Sequence, residues 1–281
     1  MYPPKFDYTR ANSVEEALTQ VQQGAKVLAG GHSLIPALKL RLSDPGKLVD
    51  IGRIAGLKGI SVNGGTATIG ALTTHAMVAA ASQLPVGLTE GAAMIGDPQV
   101  RNRGTVGGNI AHADPASDLP TILVALGATI NLVGPSGNRS VAAGDFFLDL
   151  FHTALGEDEL VASVDVPVDS AGSAYAKLYN PASRYAIVGA CAKVSVANGV
   201  CSAATVAVGG LTPKATAAPS VGAALVGKAL TAENIAAAAA QVANDLGDEV
   251  MGDIHASADY RRAMASVYVE RALSKAAERA G

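Results

Sequence analysis

The stretch "AGGHSLIPALKLRL", Ala29 to Leu42, directly follows the short apolar run "KVL" and sets the reading of the whole chain. Two adjacent glycines, Gly30 and Gly31, let the backbone turn with φ > 0 and let main-chain N–H groups approach a ligand closely. Successive N–H groups in such a turn form a concave nest for anionic oxygens. A second stretch, "RNRGTVGGN", Arg101 to Asn109, repeats the arrangement at Gly107 and Gly108. Each pair has a hydroxyl residue beside it, Ser33 or Thr105, and an imidazole or amide, His32 or Asn109. No lysine stands inside either segment, so a diphosphate there would be held mainly by backbone amides. Neither segment is a P-loop, because no G-K-[ST] follows, and neither is G-x-G-x-x-G. One such pair reads equally well as a tight turn. Two with matching polar neighbours favour a pair of nests for one large anionic cofactor.

The chain has 281 residues, enough for one large domain or two to three small subdomains. Its 49% apolar content, with only 4% aromatic residues, fits a globular chain with a sizeable core. A net charge of −3 argues against a general nucleic-acid binder, since no basic excess exists to neutralise phosphates. The opening "MYPPKFDYTR" has no apolar core of a signal peptide, and glycines and polar residues interrupt every apolar stretch. No membrane span is expected, and the location expected is cytoplasmic. Cys191 and Cys201 flank the hairpin signal Asn198-Gly199, whose two-residue turn sets Ala197 opposite Val200. That register places Cys201 opposite Val196 and Cys191 opposite Val206, with the sulfurs roughly 15 Å apart. Both cysteines therefore read as small core residues, and the absence of C-x-x-C leaves no zinc or iron–sulfur framework in this chain.

Ser13 to Glu16 is a capping box ahead of a helix that ends at Gly24. The strand "KVLAG", the first glycine segment, a short helix "IPALKLRL" and the strand "KLVDI" complete a small α/β unit over residues 1–55. Residues 56–168 read as a second α+β unit: a hairpin turning at Asn63-Gly64, helices in "TTHAMVAAASQL", "LTEGAAMIG" and "LPTILVALGA", a hairpin turning at Pro135 to Asn138, and the strand "ELVASVDVPV". The linker "DSAGSA" precedes a third unit over 173–281, with strands "YAKLY", "AIVGACAKVSVA" and "VCSAATVAVGG" and two helices beyond. It should be a three-stranded antiparallel sheet carrying helices on one face.

Among the other polar residues, Asp118 in "DPASD" has two readings: acceptor for a ribose hydroxyl, or cap of a helix starting at Leu119, which composition favours. His32 could donate to a ligand or be satisfied within its loop. His75 and His112 lack metal-ligand spacing and read as structural. No Ser-His-Asp or Cys-His arrangement stands out.

Four stretches, in order along nearly the whole chain, resemble the FAD-binding medium subunit of molybdenum hydroxylases: "AGGHSLIPALKLRL", "IGDPQVRNRGTVGGNIAHADPASDLP", "DELVASVDVP" and "SADYRRAMASVYVERAL". The carbon monoxide dehydrogenase type is the most similar. The resemblance implies a vanillyl-alcohol-oxidase-type fold, α+β, in which two subdomains clasp FAD and a third lies behind. It implies that Ala29, Gly30, Gly31, His32, Ser33 and Leu34 wrap the FAD diphosphate together with Thr105, Val106, Gly107, Gly108 and Asn109. It implies that Asp118 meets the adenosine part, that Val161 contacts the flavin side through its backbone, and that Lys177 and Tyr185 lie near the ring. "NPASRYA", around Tyr185, departs from the family's patterns.

The resemblance further implies an electron-transfer oxidoreductase subunit with noncovalent FAD and no substrate turnover of its own. A small subunit with two-iron two-sulfur clusters would relay electrons to it. A large subunit would hold the molybdenum cofactor and the substrate, in a dimer of heterotrimers. Two other readings stand beside this one. In a stand-alone flavin oxidase or reductase of the same wider fold, His32 would bond covalently to the flavin. In a non-redox scaffold, flavin would be bound without duty.

Overall fold

In the computed structural model, which describes residues 2–280, three main sheets follow one another along the chain. The first is parallel: β1 (Asp7–Arg10), β2 (Lys26–Leu28) and β3 (Lys47–Asp50) lie in the order β1-β3-β2. Parallel neighbours need crossovers, and α1 (Val14–Gln22) and α2 (Leu34–Lys39) supply them. Ser13 caps α1 by accepting from Glu16 N–H (3.2 Å), Glu16 reaches back to Asn12 N–H (2.8 Å), and Gly24 at φ +83° ends the turn. β1 had no sequence signal, because "DYTR" is exposed at every position and is held only by its pairing with β3.

The second sheet is antiparallel, order β4-β5-β10-β6-β7. It contains the hairpin β4 (Ile60–Asn63) and β5 (Thr66–Gly70), turning at Gly64-Gly65 rather than at Asn63-Gly64. Both glycines take positive φ, +56° and +79°, as a two-residue hairpin turn requires. Five helices follow: α3 (His75–Ala79), α4 (Val86–Met94), α5 (Pro98–Arg103), α6 (Val106–His112) and α7 (Asp118–Leu126). Then come β6 (Thr129–Gly134), β7 (Gly137–Ala142), α8 (Ala143–Phe146), a short hairpin of β8 (Phe147–Asp149) and β9 (His152–Thr153), and central β10 (Leu160–Pro167). The core of this unit packs Ile69, Val106, Ile110, Ile122 and Phe146 against Val164. Helix α7 is buried at eight of its nine residues, which explains its nearly unbroken apolar run.

The third sheet is antiparallel: β11 (Gly172–Tyr179), β12 (Ala186–Ala197), β13 (Val200–Gly209) and a two-residue fourth strand, β14 (Thr216–Ala217). The "linker" residues Gly172 to Ala174 belong to β11, because Gly172 lies where only a residue without Cβ fits against α11 (Ala258–Arg279). On one face, α9 (Pro219–Leu225), α10 (Ala232–Ala239) and α11 cover Ala174, Val188 and Val208. The other face is covered too: Tyr175, Cys191 and Ala207 enter the core of the second unit beneath α7. A bulge between Ser195 and Val196 keeps Cys201 opposite Val196 but moves Cys191 opposite Ala207 instead of Val206. Both thiols are free and buried.

Candidate functional site

The chain leaves β2 at Leu28 and turns through Ala29–Ser33 into α2, with Gly31 at φ +80°. The N–H groups of Gly30, Gly31, His32, Ser33 and Leu34 donate to no acceptor among the described residues. Ser33 occupies the cap position of α2, yet its hydroxyl caps nothing. Ser13, Thr74, Asp97, Thr105, Thr231 and Ser257 stand in the same position on other helices, and each accepts from its helix. The first glycine segment is therefore a run of unused donors with a spare hydroxyl, the makings of an anion cradle.

The second glycine segment is built otherwise, which corrects the expectation of two like nests. It is a pair of short helices meeting at Gly104. Asp97 caps α5 by accepting from Val100 N–H (2.8 Å), and Pro98 opens it, where its missing donor is harmless. Thr105 caps α6 by accepting from Gly108 N–H (3.3 Å). Val106 N–H donates to Thr73 C=O (3.0 Å), Gly107 N–H to Ala71 C=O (2.8 Å) and Asn109 N–H to Thr105 C=O (3.0 Å). All four amides are committed inside the protein. Val106 is buried core, and Gly107 is a packing glycine, since a Cβ there would lie 2.5 Å from that of Ala71.

The two segments nevertheless meet. A Cβ on Gly30 would run into the Arg103 carbonyl and lie 3.1 Å from Gly104 Cα, and one on Gly108 would lie 3.7 Å from Ala29 Cβ. Gly108 is exposed. Asn109 Oδ1 accepts from Ser117 Oγ (2.7 Å), which leaves its side-chain NH₂ without a partner among the described residues. The cradle thus has amides from the first segment and an open wall from the second.

Ser117 leads to a buried polar node. It takes the cap position of α7, so Asp118 is the first helical residue and not the cap. Asp118 Oδ2 accepts from Lys177 Nζ (2.9 Å) and Oδ1 from Tyr175 OH (2.6 Å). Lys177 gives its other two protons to the carbonyls of Met94 (3.1 Å) and Arg184 (2.8 Å), so its head is fully satisfied and buried instead of solvated. Burial pushes the Asp118 carboxyl up against the opposing pull of Lys177 and Tyr175, and burial followed by Asp118 raises the Tyr175 phenol. Tyr185 follows Arg184 and is exposed; burial around its hydroxyl, then Asp114 and Asp118, push its phenol up. Val161 is buried in β10 beside a register shift, and its neighbour Ala162 accepts from Ala71 N–H (2.9 Å). Ala71 therefore ties β10 to Gly107.

Most of the named residues fall into two groups, the cradle (29–34, 108 and 109) and the node (118 and 177, with the Arg184 carbonyl), joined through Asn109 and Ser117, while Thr105 to Gly107 and Val161 are tied into the surrounding framework and exposed Tyr185 lies next to Arg184. Two residues beside these groups carried no functional signal in the sequence, Tyr175 passing unread and His75 reading as structural. Tyr175 lies in an alternating strand where an aromatic signals core. His75 is buried behind Gly104, and nothing in "TTHAM" marks it beyond the capping Thr74.

Residues 4–169 match the FAD binding domain in molybdopterin dehydrogenase, and residues 173–276 match the CO dehydrogenase flavoprotein C-terminal domain. The chain is 40% identical to the carbon monoxide dehydrogenase medium chain of Hydrogenophaga pseudoflava, covering 98% of each. It is 39% identical to the 6-hydroxypseudooxynicotine dehydrogenase complex subunit alpha of Paenarthrobacter nicotinovorans, covering 100% of this chain and 97% of that one. Its fold superposes at TM-score 0.95 on a solved structure of the Hydrogenophaga pseudoflava carbon monoxide dehydrogenase lacking the Mo-pyranopterin moiety, with 40% identity and full coverage of both chains.

Proposed function

The chain belongs to the family of FAD-binding medium subunits of carbon monoxide dehydrogenase-like molybdenum hydroxylases, and from that premise we propose that it is the electron-exit subunit of such a complex. FAD supplies a redox centre able to exchange electrons singly or in pairs; the protein's task is to bind, orient and shield it. The observation that carries this reading is the row of five uncommitted amides at Gly30 to Leu34, with an uncapping hydroxyl at Ser33. Those donors fit a diphosphate. In this reading Gly108 and Asn109 close the cradle, while Thr105, Val106 and Gly107 hold α6 in place behind them.

Asp118, Tyr185 and the backbone at Val161 would border the rest of the cofactor, and Lys177 would act by fixing Asp118 and the Arg184 carbonyl. A small iron–sulfur subunit would deliver electrons, and a large molybdenum subunit would hold the substrate, in a cytoplasmic dimer of heterotrimers. The two relatives above share nearly equal identity with this chain and carry the names of different substrates, which fits substrate choice residing outside the medium subunit. Among the described residues no helix is long and apolar enough to cross a membrane.

The test is a visible spectrum of the purified chain before and after acid precipitation. A flavin band released into the supernatant is the expected result. Flavin kept in the pellet would point to a covalent bond at His32 and a stand-alone oxidase. A colourless chain that refuses added FAD would end the reading. In the assembled complex, substrate should bleach the flavin band only when the iron–sulfur subunit is present.

A further inference from the structure

Among the described residues, one buried side-chain nitrogen or oxygen has no hydrogen-bond partner: Nδ1 of His75. The residue is 3% exposed at the start of α3 and is held by the second glycine segment. His75 N–H donates to Gly104 C=O (3.0 Å), and Thr74 bridges to Thr105. The imidazole lies directly against Gly104, where a Cβ would come within 2.7 Å of both Cδ2 and Nε2. Gly30 rests on the same glycine. Burial, and then the charge of nearby His32, lower the His75 pKa to about 4, so the ring is neutral at neutral pH.

A neutral imidazole carries one N–H. A proton on Nδ1 would be enclosed without an acceptor, which is unfavourable. Nε2 is not enclosed in this way, because Nδ1 alone is both buried and unpartnered. The proton therefore belongs on Nε2, at the ring edge beside Gly104. A phenyl ring would fill the same space with no orphaned nitrogen. A buried polar atom without a partner calls for an explanation outside packing.

We propose that His75 is a further cofactor-contact residue, whose Nε2–H donates to a phosphate oxygen of FAD held by the amides of Gly30 to Leu34. This rests on the reading that the first glycine segment holds FAD. The edge beside Gly104 is the polar edge of the ring, and Gly104 and His32 tie it to the two segments that form the cradle. His75 thereby extends the cradle to a third element, α3.

The full-length chain, stripped of flavin, is titrated with FAD and separately with riboflavin, which lacks the diphosphate, and its Tm is recorded without flavin. His75→Phe should keep or raise that Tm, weaken FAD about tenfold and leave riboflavin unchanged. His75→Gln, whose amide can present an N–H near the position of Nε2, should bind FAD within about threefold of wild type. The proposal is overturned if His75→Phe binds FAD as wild type does, if it loses FAD and riboflavin alike, or if it does not fold, since an apolar ring is argued to fit. Loss of FAD affinity in His75→Gln as large as in His75→Phe overturns it too. Failure of the wild-type chain itself to take up FAD is a separate result, which removes the reading of the first segment.

Discussion

The two Gly-Gly segments look alike in sequence and do opposite work. Gly30-Gly31 opens a loop whose five amides, Gly30 to Leu34, have no acceptor, and Ser33 leaves its helix uncapped. Gly107-Gly108 starts a helix in which every first-turn amide is bonded within the protein and Thr105 is a working cap. In the proposed function the first pair is the site and the second is the framework that positions it. What separates them is where the hydrogen bonds go, since buried backbone donors must be paired while exposed ones can wait for a ligand.

The variants that would break this contrast run from large effects to small. On the framework side, Lys177→Met leaves the Asp118 carboxyl buried without its cation. It should cost about 3–5 kcal/mol in urea unfolding, and the double variant Lys177→Met/Asp118→Leu should recover most of that. A single-variant loss below about 1 kcal/mol would remove the node from the framework.

Acid tests the contact between the halves. The His75 pKa lies at about 4 in the folded chain against a usual 6.5, so below pH 6.5 the unfolded chain binds the extra proton. Its contribution is complete above 6.5 and is lost as pH falls from 6.5 through about 4, by roughly 3 kcal/mol. His75→Phe should flatten that part of the pH–stability curve. An unchanged curve would show that the imidazole is not enclosed as described.

The glycines themselves come next. Gly30→Ala drives a methyl into the Arg103 backbone carbonyl at the cradle and should weaken FAD about tenfold or more while also lowering Tm, because backbone cannot swing aside as a side chain can. Gly107→Ala forces the Cβ against Ala71 and should lower stability by about 1–3 kcal/mol, with FAD affinity of the folded fraction kept. FAD affinity lost in Gly107→Ala and kept in Gly30→Ala would reverse the assignment of site and framework.

The smallest pair is the hydroxyls. Thr105→Ala should cost about 1 kcal/mol of stability through the lost cap. Ser33→Ala should cost under about 0.5 kcal/mol and show instead as a few-fold weaker FAD titration.

Elements defined by local pattern were legible in the sequence. The capping box at Ser13, the Asn198-Gly199 turn and the long amphipathic α11 depend on neighbours within a turn or two, and the structure has all three. β1 escaped because a four-residue polar edge strand is defined by its partner and not by its own side chains. α6 escaped because its glycine-rich first turn has low helix propensity, which tertiary acceptors at Thr73 and Ala71 override, and α5 escaped because the single turn-and-a-half "PQVRNR" has only one apolar side chain besides its proline and so shows no periodicity. The family motifs pointed to both glycine segments, but no motif could distinguish their roles.

By itself, the sequence determined the α+β class and drew attention to Ala29–Ser33 and Thr105–Asn109, because both rest on residue types and spacings along the chain. Only the tertiary structure decided which amides stay free, that Asp118 and Lys177 pair in the interior, and that His75 stands behind Gly104. Those facts depend on groups brought together from distant parts of the chain. Burial then sets the cost of each unpaired donor, acceptor or charge, and no local pattern encodes it.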